Sequence, residues 1–139
     1  MNHIVSADDL KFRQQFETCE VAPEKFDHTA HVRLAYIYLC AHSVDKAAEK
    51  MKQSLLGFLA HLGADPAKYH ETLTRSWIMA VHHFMAKSEP CNSAAEFIKS
   101  NSELIDAKIM LTHYSAEVLF SPQARQSFVH PDIQSIPPP

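Results

Sequence analysis

The chain has 139 residues, of which 46% are apolar and 21% charged, and its formal charge is −3 at neutral pH. That length and composition suit one globular domain able to bury a core. Lys and Arg are scattered singly, which excludes the electrostatic footprint of a nucleic-acid or anionic-membrane binder.

Only Gly57 and Gly63 are present, so the glycine-rich phosphate loops of P-loop and dinucleotide folds are excluded. Asp8 and Asp9 stand where a signal peptide would carry its apolar run, and no segment is long enough to span a bilayer. Cys19, Cys40 and Cys91 are odd in number, far apart and without a C-x-x-C pair. A disulfide framework is not expected, and the cytoplasm is the expected location.

A first amphipathic helix opens at Asp8-Asp9-Leu10 and runs to about Glu20, with Pro23 in the turn after it. Phe26 and Asp27 read as the N′ and N-cap residues of a second helix, from His28 to about Ala41. Beyond Arg33 that helix is apolar on every side, the pattern of a central helix surrounded by others. Ser43 caps a third helix whose Val44, Ala48, Met51, Leu55, Phe58 and Leu62 form one packing stripe, with Gly63 as its stop. Pro66 marks the next loop. A fourth helix runs from about Tyr69 to Lys87 and buries Leu73, Trp77, Val81 and Phe84.

After Pro90 the helices shorten. Ser93-Ala94-Ala95-Glu96 has the spacing of a capping box, and further starts are expected at Asp106, Ser115 and Ser121-Pro122. The end of the chain, from about 131 to 139, reads as extended, and its last prolines favour polyproline II. The expected fold is all-α: one compact helical bundle over 1–139. It has three long helices running up, down and up, short N- and C-terminal helices, and a proline-rich tail.

That topology makes the second and fourth helices parallel and brings their N-termini to one end. His28 and His31 would meet His70 and Glu71 there, with His61 near the same end. His82 and His83 would sit about 18 Å further along the fourth helix and drop out. The partial positive charge at a helix start keeps imidazole neutral, able to ligate a metal or accept a proton. His28, His31 and His70 are therefore the candidate metal ligands, for a divalent ion. His70 and Glu71 are the candidate catalytic pair. Arg75 and Trp77 complete the expected ligand site, Trp77 as an apolar wall. Two plainer readings stand beside this: a first-turn histidine is as often a capping or packing residue, and Arg75, four residues on, can simply pair with Glu71.

Named metal and nucleophile motifs are missing. His70-Glu71-Thr72-Leu73-Thr74 lacks the second imidazole of H-E-x-x-H, and no Glu-x-x-His, His-Asp or Gly-x-Ser-x-Gly element occurs. Three stretches carry a resemblance instead. They are F-D-H-x-A-H-x-R-x-A at 26–35, K-Y-H-E-T-L-T at 68–74, and H-Y-S…L-F-S-P-Q-A-R-x-x-F-V-x-P-D at 113–132. From Phe26 to Ile136 the chain resembles a family of small bacterial all-helical proteins, a resemblance that implies a fold and no particular reaction.

The expected function is binding of a small polar molecule or metal ion in a His/Glu-lined pocket at one end of the bundle. Whether catalysis follows, and whether the protein forms a homo-oligomer, is left open. The competing expectation is a non-catalytic interaction or regulatory module whose histidines are structural.

Overall fold

Leu34 to Leu39 is apolar on every side, and the fold is built around it. The computed structural model describes residues 2–137, and no strand occurs among them. Helix α2 (His28–Ala41) begins where the Asp27 side chain accepts the Ala30 N–H at 2.8 Å. Val32 and every residue from Leu34 to Leu39 are buried. Helices α1 (Ala7–Glu17), α3 (Val44–His61), α4 (Glu71–Lys87) and α5 (Ala94–Ser100) all pack against it. No helix among the described residues is long and apolar enough to cross a membrane.

Helices α2, α3 and α4 each touch the other two. Ser43 caps α3 through the Lys46 N–H, and Ala47, Ala48, Met51 and Phe58 form its buried face. Leu62, expected on that face, is exposed, because the helix ends at His61 and the chain turns at Gly63 (φ 66°). The Ala64 N–H reaches back to the Leu59 carbonyl at 2.9 Å, a Schellman closure that needs a left-handed residue at Gly63.

Helix α1 closes in the same way but earlier than the sequence suggests. It stops at Glu17. Cys19 takes the left-handed position (φ 62°), and the Glu20 N–H donates to the Gln15 carbonyl at 2.7 Å. Phe16, at the end of α1, stacks on Phe26 with ring centroids 4.4 Å apart and meets Phe58 of α3 at 4.8 Å. This aromatic group seals the N-terminal side of the core.

Capping is distributed differently from the expectation. The full capping box is Ser6 with Asp9, at the head of α1. At α5 only half of one forms: Ser93 accepts from the Glu96 N–H, while the Ala94 N–H goes to Asp9 at 2.9 Å. Helix α4 starts at Glu71, not Tyr69, with His70 as its N-cap. The starts at Asp106, Ser115 and Ser121 are present. Asp106 caps a 3-10 segment (Ala107–Thr112), and the two serines cap α6 (Ala116–Leu119) and α7 (Pro122–Gln126).

The last third wraps α4. Thr72 donates its hydroxyl to the Ser127 carbonyl and accepts the Val129 N–H; Ser76 bonds the Tyr114 hydroxyl, which donates to the Val129 carbonyl. Thr72, Thr74 and Ser76 are thus buried polar groups with partners, Thr74 through the His70 carbonyl, beside the apolar residues of α4. Beyond Pro131 the chain is strapped to the body. The Ile133 and Gln134 amides both donate to the His113 carbonyl, and Ile136 is buried. The final two prolines, for which polyproline II is expected, lie outside the described residues.

Candidate functional site

His28 and His31 occupy the first turn of α2 as expected, with ring centroids 6.4 Å apart and edge-on. The His28 Nε2–H donates to the Leu104 carbonyl at 2.9 Å, and the ring stands against Trp77 at 4.5 Å. Trp77, expected as an apolar wall of a ligand site, is buried against the His28 imidazole. His31 keeps part of its surface in solvent while its Nε2 is buried without a hydrogen-bond partner. Burial, and then the charge of His28, push the His31 pKa down to about 4.

His70 does a different job. Its Nδ1 accepts the Leu73 N–H at 3.1 Å, capping α4, and its Nε2–H donates to the Leu119 carbonyl at 2.8 Å. Burial lowers its pKa, and the two bonds fix the neutral tautomer. With both nitrogens held by backbone, His70 has no lone pair to offer a metal and none to serve as a base. It makes no ring contact with His28 or His31 among the described residues. The expected metal set of His28, His31 and His70 is corrected on this ground. No group of three or more His, Cys, Asp or Glu side chains is placed to hold a metal among the described residues.

Glu71 and Arg75 do not pair with each other. Glu71 accepts from the Tyr69 hydroxyl at 2.9 Å and pairs with Lys52 at 3.5 Å; Arg75 pairs with Asp45 and lies over the Phe128 ring. Charges on the neighbouring α3 outcompete the in-helix partner four residues away. Glu71 and Arg75 line a shallow recess with Asp45, Glu49 and Lys52. His28 and His31 are not on the lining of that recess.

A histidine-lined cleft does exist elsewhere, where the N-terminal arm crosses the C-terminal end of α2 and the second half of α4. Its volume is about 840 Å³. His3, Cys40, His42, His82 and Ser88 face it, and among the described residues no Asp, Glu, Lys or Arg does. His3 is clamped: its Nδ1 accepts the Cys91 N–H at 3.1 Å and its Nε2–H donates to the Met85 carbonyl at 2.6 Å. The rings of His42 and His82 are unpartnered among the described residues, so both keep their hydrogen-bonding capacity for a ligand. Burial lowers the His82 pKa, and burial raises the Cys40 thiol to about 11 despite the opposing Tyr36 bond. A neutral imidazole and an inert thiol result.

Sequence reasoning set His82 aside for want of neighbours. The missing neighbours are His42, just past the last turn of α2, and His3, brought in from the arm. The signal was present, since parallel second and fourth helices would share their C-terminal ends as well as their starts. No protein-family model matches the chain, and neither a curated protein nor a solved structure matches it.

Proposed function

We propose that the protein binds a small polar molecule in the cleft between the N-terminal arm, the end of α2 and the second half of α4. The observation that carries this is a pair of imidazoles, His42 and His82, with no partner among the described residues, on one polar cleft of about 840 Å³. That volume suits a small ligand. The C-terminal carbonyls of α2 add partial negative charge, so a ligand rich in hydrogen-bond donors, such as an amine, amide or polyol, fits best. An up-down-up course of α2, α3 and α4 supports the placement. Asp45–Arg75 and Lys52–Glu71 pair with numbers rising along α3 and falling along α4, as antiparallel neighbours would. Three free cysteines fit a reducing compartment such as the cytoplasm.

The test follows the two rings by NMR. Small amines, amides and polyols are titrated in while the Cε1–H signals of His42 and His82 are recorded. Binding should move both signals together, and His42→Ala and His82→Ala should each weaken it. Ligands that move only the signals of His28 and His31 would return the site to the start of α2.

A non-catalytic helical module is the second reading, and one observation favours it. His3, His28, His70 and His113 each donate a ring N–H to a backbone carbonyl on a distant segment. Histidine in this chain serves first as a staple. Absence of any saturable shift at His42 and His82 would leave that reading standing.

A further inference from the structure

We propose that a second cleft, between α1, α2 and α5, binds a small carboxylate with an apolar body. It holds about 850 Å³ and shares no lining residue with the histidine cleft, so the two sites stand or fall separately. Phe12, Val21, Ala30, Ala95 and Ile98 supply apolar wall.

Arg33 is the receptor for the charged head. Its Nε donates to the buried Asp9 Oδ1 at 3.2 Å, and its guanidinium carbon lies 4.4 Å from the Phe12 ring centroid. These two contacts fix the plane of the group. Its two terminal amino groups meet no acceptor among the described residues. A carboxylate matches such a fork with two parallel hydrogen bonds, and the ordering cost of the arginine is already met by Asp9 and Phe12.

Lys25 and Lys99 also line the cleft, and neither has an ion-pair partner among the described residues. Two acids share the lining and keep their charge: Asp27 accepts the Ala30 N–H through one oxygen, and Glu20 accepts the Thr18 hydroxyl through one oxygen. Asp9, behind the guanidinium, is buried. Three cationic heads, Lys25, Arg33 and Lys99, thus face two carboxylates on the lining; Gln15 and Thr29 add neutral polar groups, and the surface between them is apolar. This combination selects an acid with a hydrocarbon body over a bare anion or a neutral oil.

The experiment titrates the full chain with octanoate, octan-1-ol and acetate, followed by amide chemical shifts. Octanoate should saturate and shift the amides of Ala30, Ala95 and Ile98. Octanol and acetate should each bind at least about tenfold more weakly, the loss expected for charge-assisted hydrogen bonds or apolar burial alone. Arg33→Lys, which keeps the charge and loses the fork, should weaken octanoate by about tenfold. Because Arg33 also holds Asp9, Ala95→Trp provides the second variant; Ala95 is exposed, and a bulky ring there should block the cleft without disturbing the core. Equal affinity for octanol, undiminished octanoate binding by Ala95→Trp, or shifts confined to other surfaces would overturn the proposal.

Discussion

The Asp9 carboxylate accepts the Ala94 N–H at 2.9 Å across 85 positions of sequence. The same oxygen accepts the Ser6 N–H, and the other takes the Arg33 Nε–H. One side chain therefore caps α1, anchors the start of α5 and holds the Nε of an arginine of α2. Burial pushes the Asp9 pKa up, but the Ala94, Ser6 and Arg33 bonds outweigh it and hold the carboxyl below its ordinary value. Such a group stabilises the fold above the unfolded-state pKa of 3.8, and the contribution disappears as pH falls through the lower folded value. Asp9→Ala should cost about 1–3 kcal/mol, chiefly the penalty of leaving the buried Ala94 N–H without an acceptor, because the Arg33 side chain keeps 31% of its surface exposed. Urea unfolding at neutral pH checks this, and a cost near zero would deny the hub role.

His31 makes the opposite demand on pH. Its folded pKa of about 4 lies below the ordinary 6.5, so the folded state disfavours the proton that the unfolded state accepts. Stability is complete above 6.5 and falls as pH drops from there toward 4, by up to about 3 kcal/mol. His31→Phe removes the buried, unpartnered Nε2 and should flatten this slope without loss of neutral-pH stability. Unfolding free energies at a series of pH values measure it. A His31 ring that titrates near 6.5 by NMR would refute the assignment.

His70 predicts a structural phenotype and no ligand phenotype. Alanine there removes the cap of α4 and leaves the Leu119 carbonyl unsatisfied, at a combined cost of about 2–4 kcal/mol. Asparagine should recover part of the loss, since it restores an N-cap acceptor. Thermal unfolding of the two variants gives the order. Equal stability for alanine and asparagine would show that the cap carries little.

The two left-handed residues invite reciprocal substitutions. Cys19→Gly should stabilise the protein by about 0.5–1 kcal/mol, because glycine relieves the strain of a positive φ. Gly63→Ala should destabilise it by about 1 kcal/mol. Nothing lies within 4 Å of an added Cβ at Gly63, so that cost is purely conformational. Denaturant midpoints of both variants provide the comparison.

Helix α2 was legible because its signals are local: an Asp N-cap, then a run apolar on every side. The third and fourth helices and the later serine caps were legible for the same reason. What escaped the sequence reading was long-range and polar. Nothing near Thr72 or Ser76 announces that the Ser127 carbonyl and the Tyr114 hydroxyl will meet them. Glu71 and Arg75 have ideal spacing for each other, yet packing against α3 supplies Lys52 and Asp45 first. The imidazoles at the start of α2 were located correctly but drawn into a common site with His70, whose nitrogens the backbone had already claimed. His3 and His42 were passed over because one lies in an arm and the other in a turn, where no periodicity marks them.

The polar face of α4 has a consequence for how the chain is made. Thr72, His70 and Ser76 take their partners from Ser127, Leu119 and Tyr114, all of which leave the ribosome after α4 itself. During synthesis that face is hydrated and the bundle is unfinished. With α6 and α7 only four and five residues long, the trailing segment has no core of its own and gains order only by docking. Docking of the segment from Tyr114 to Val129 onto α4 is thus the step that completes the bundle.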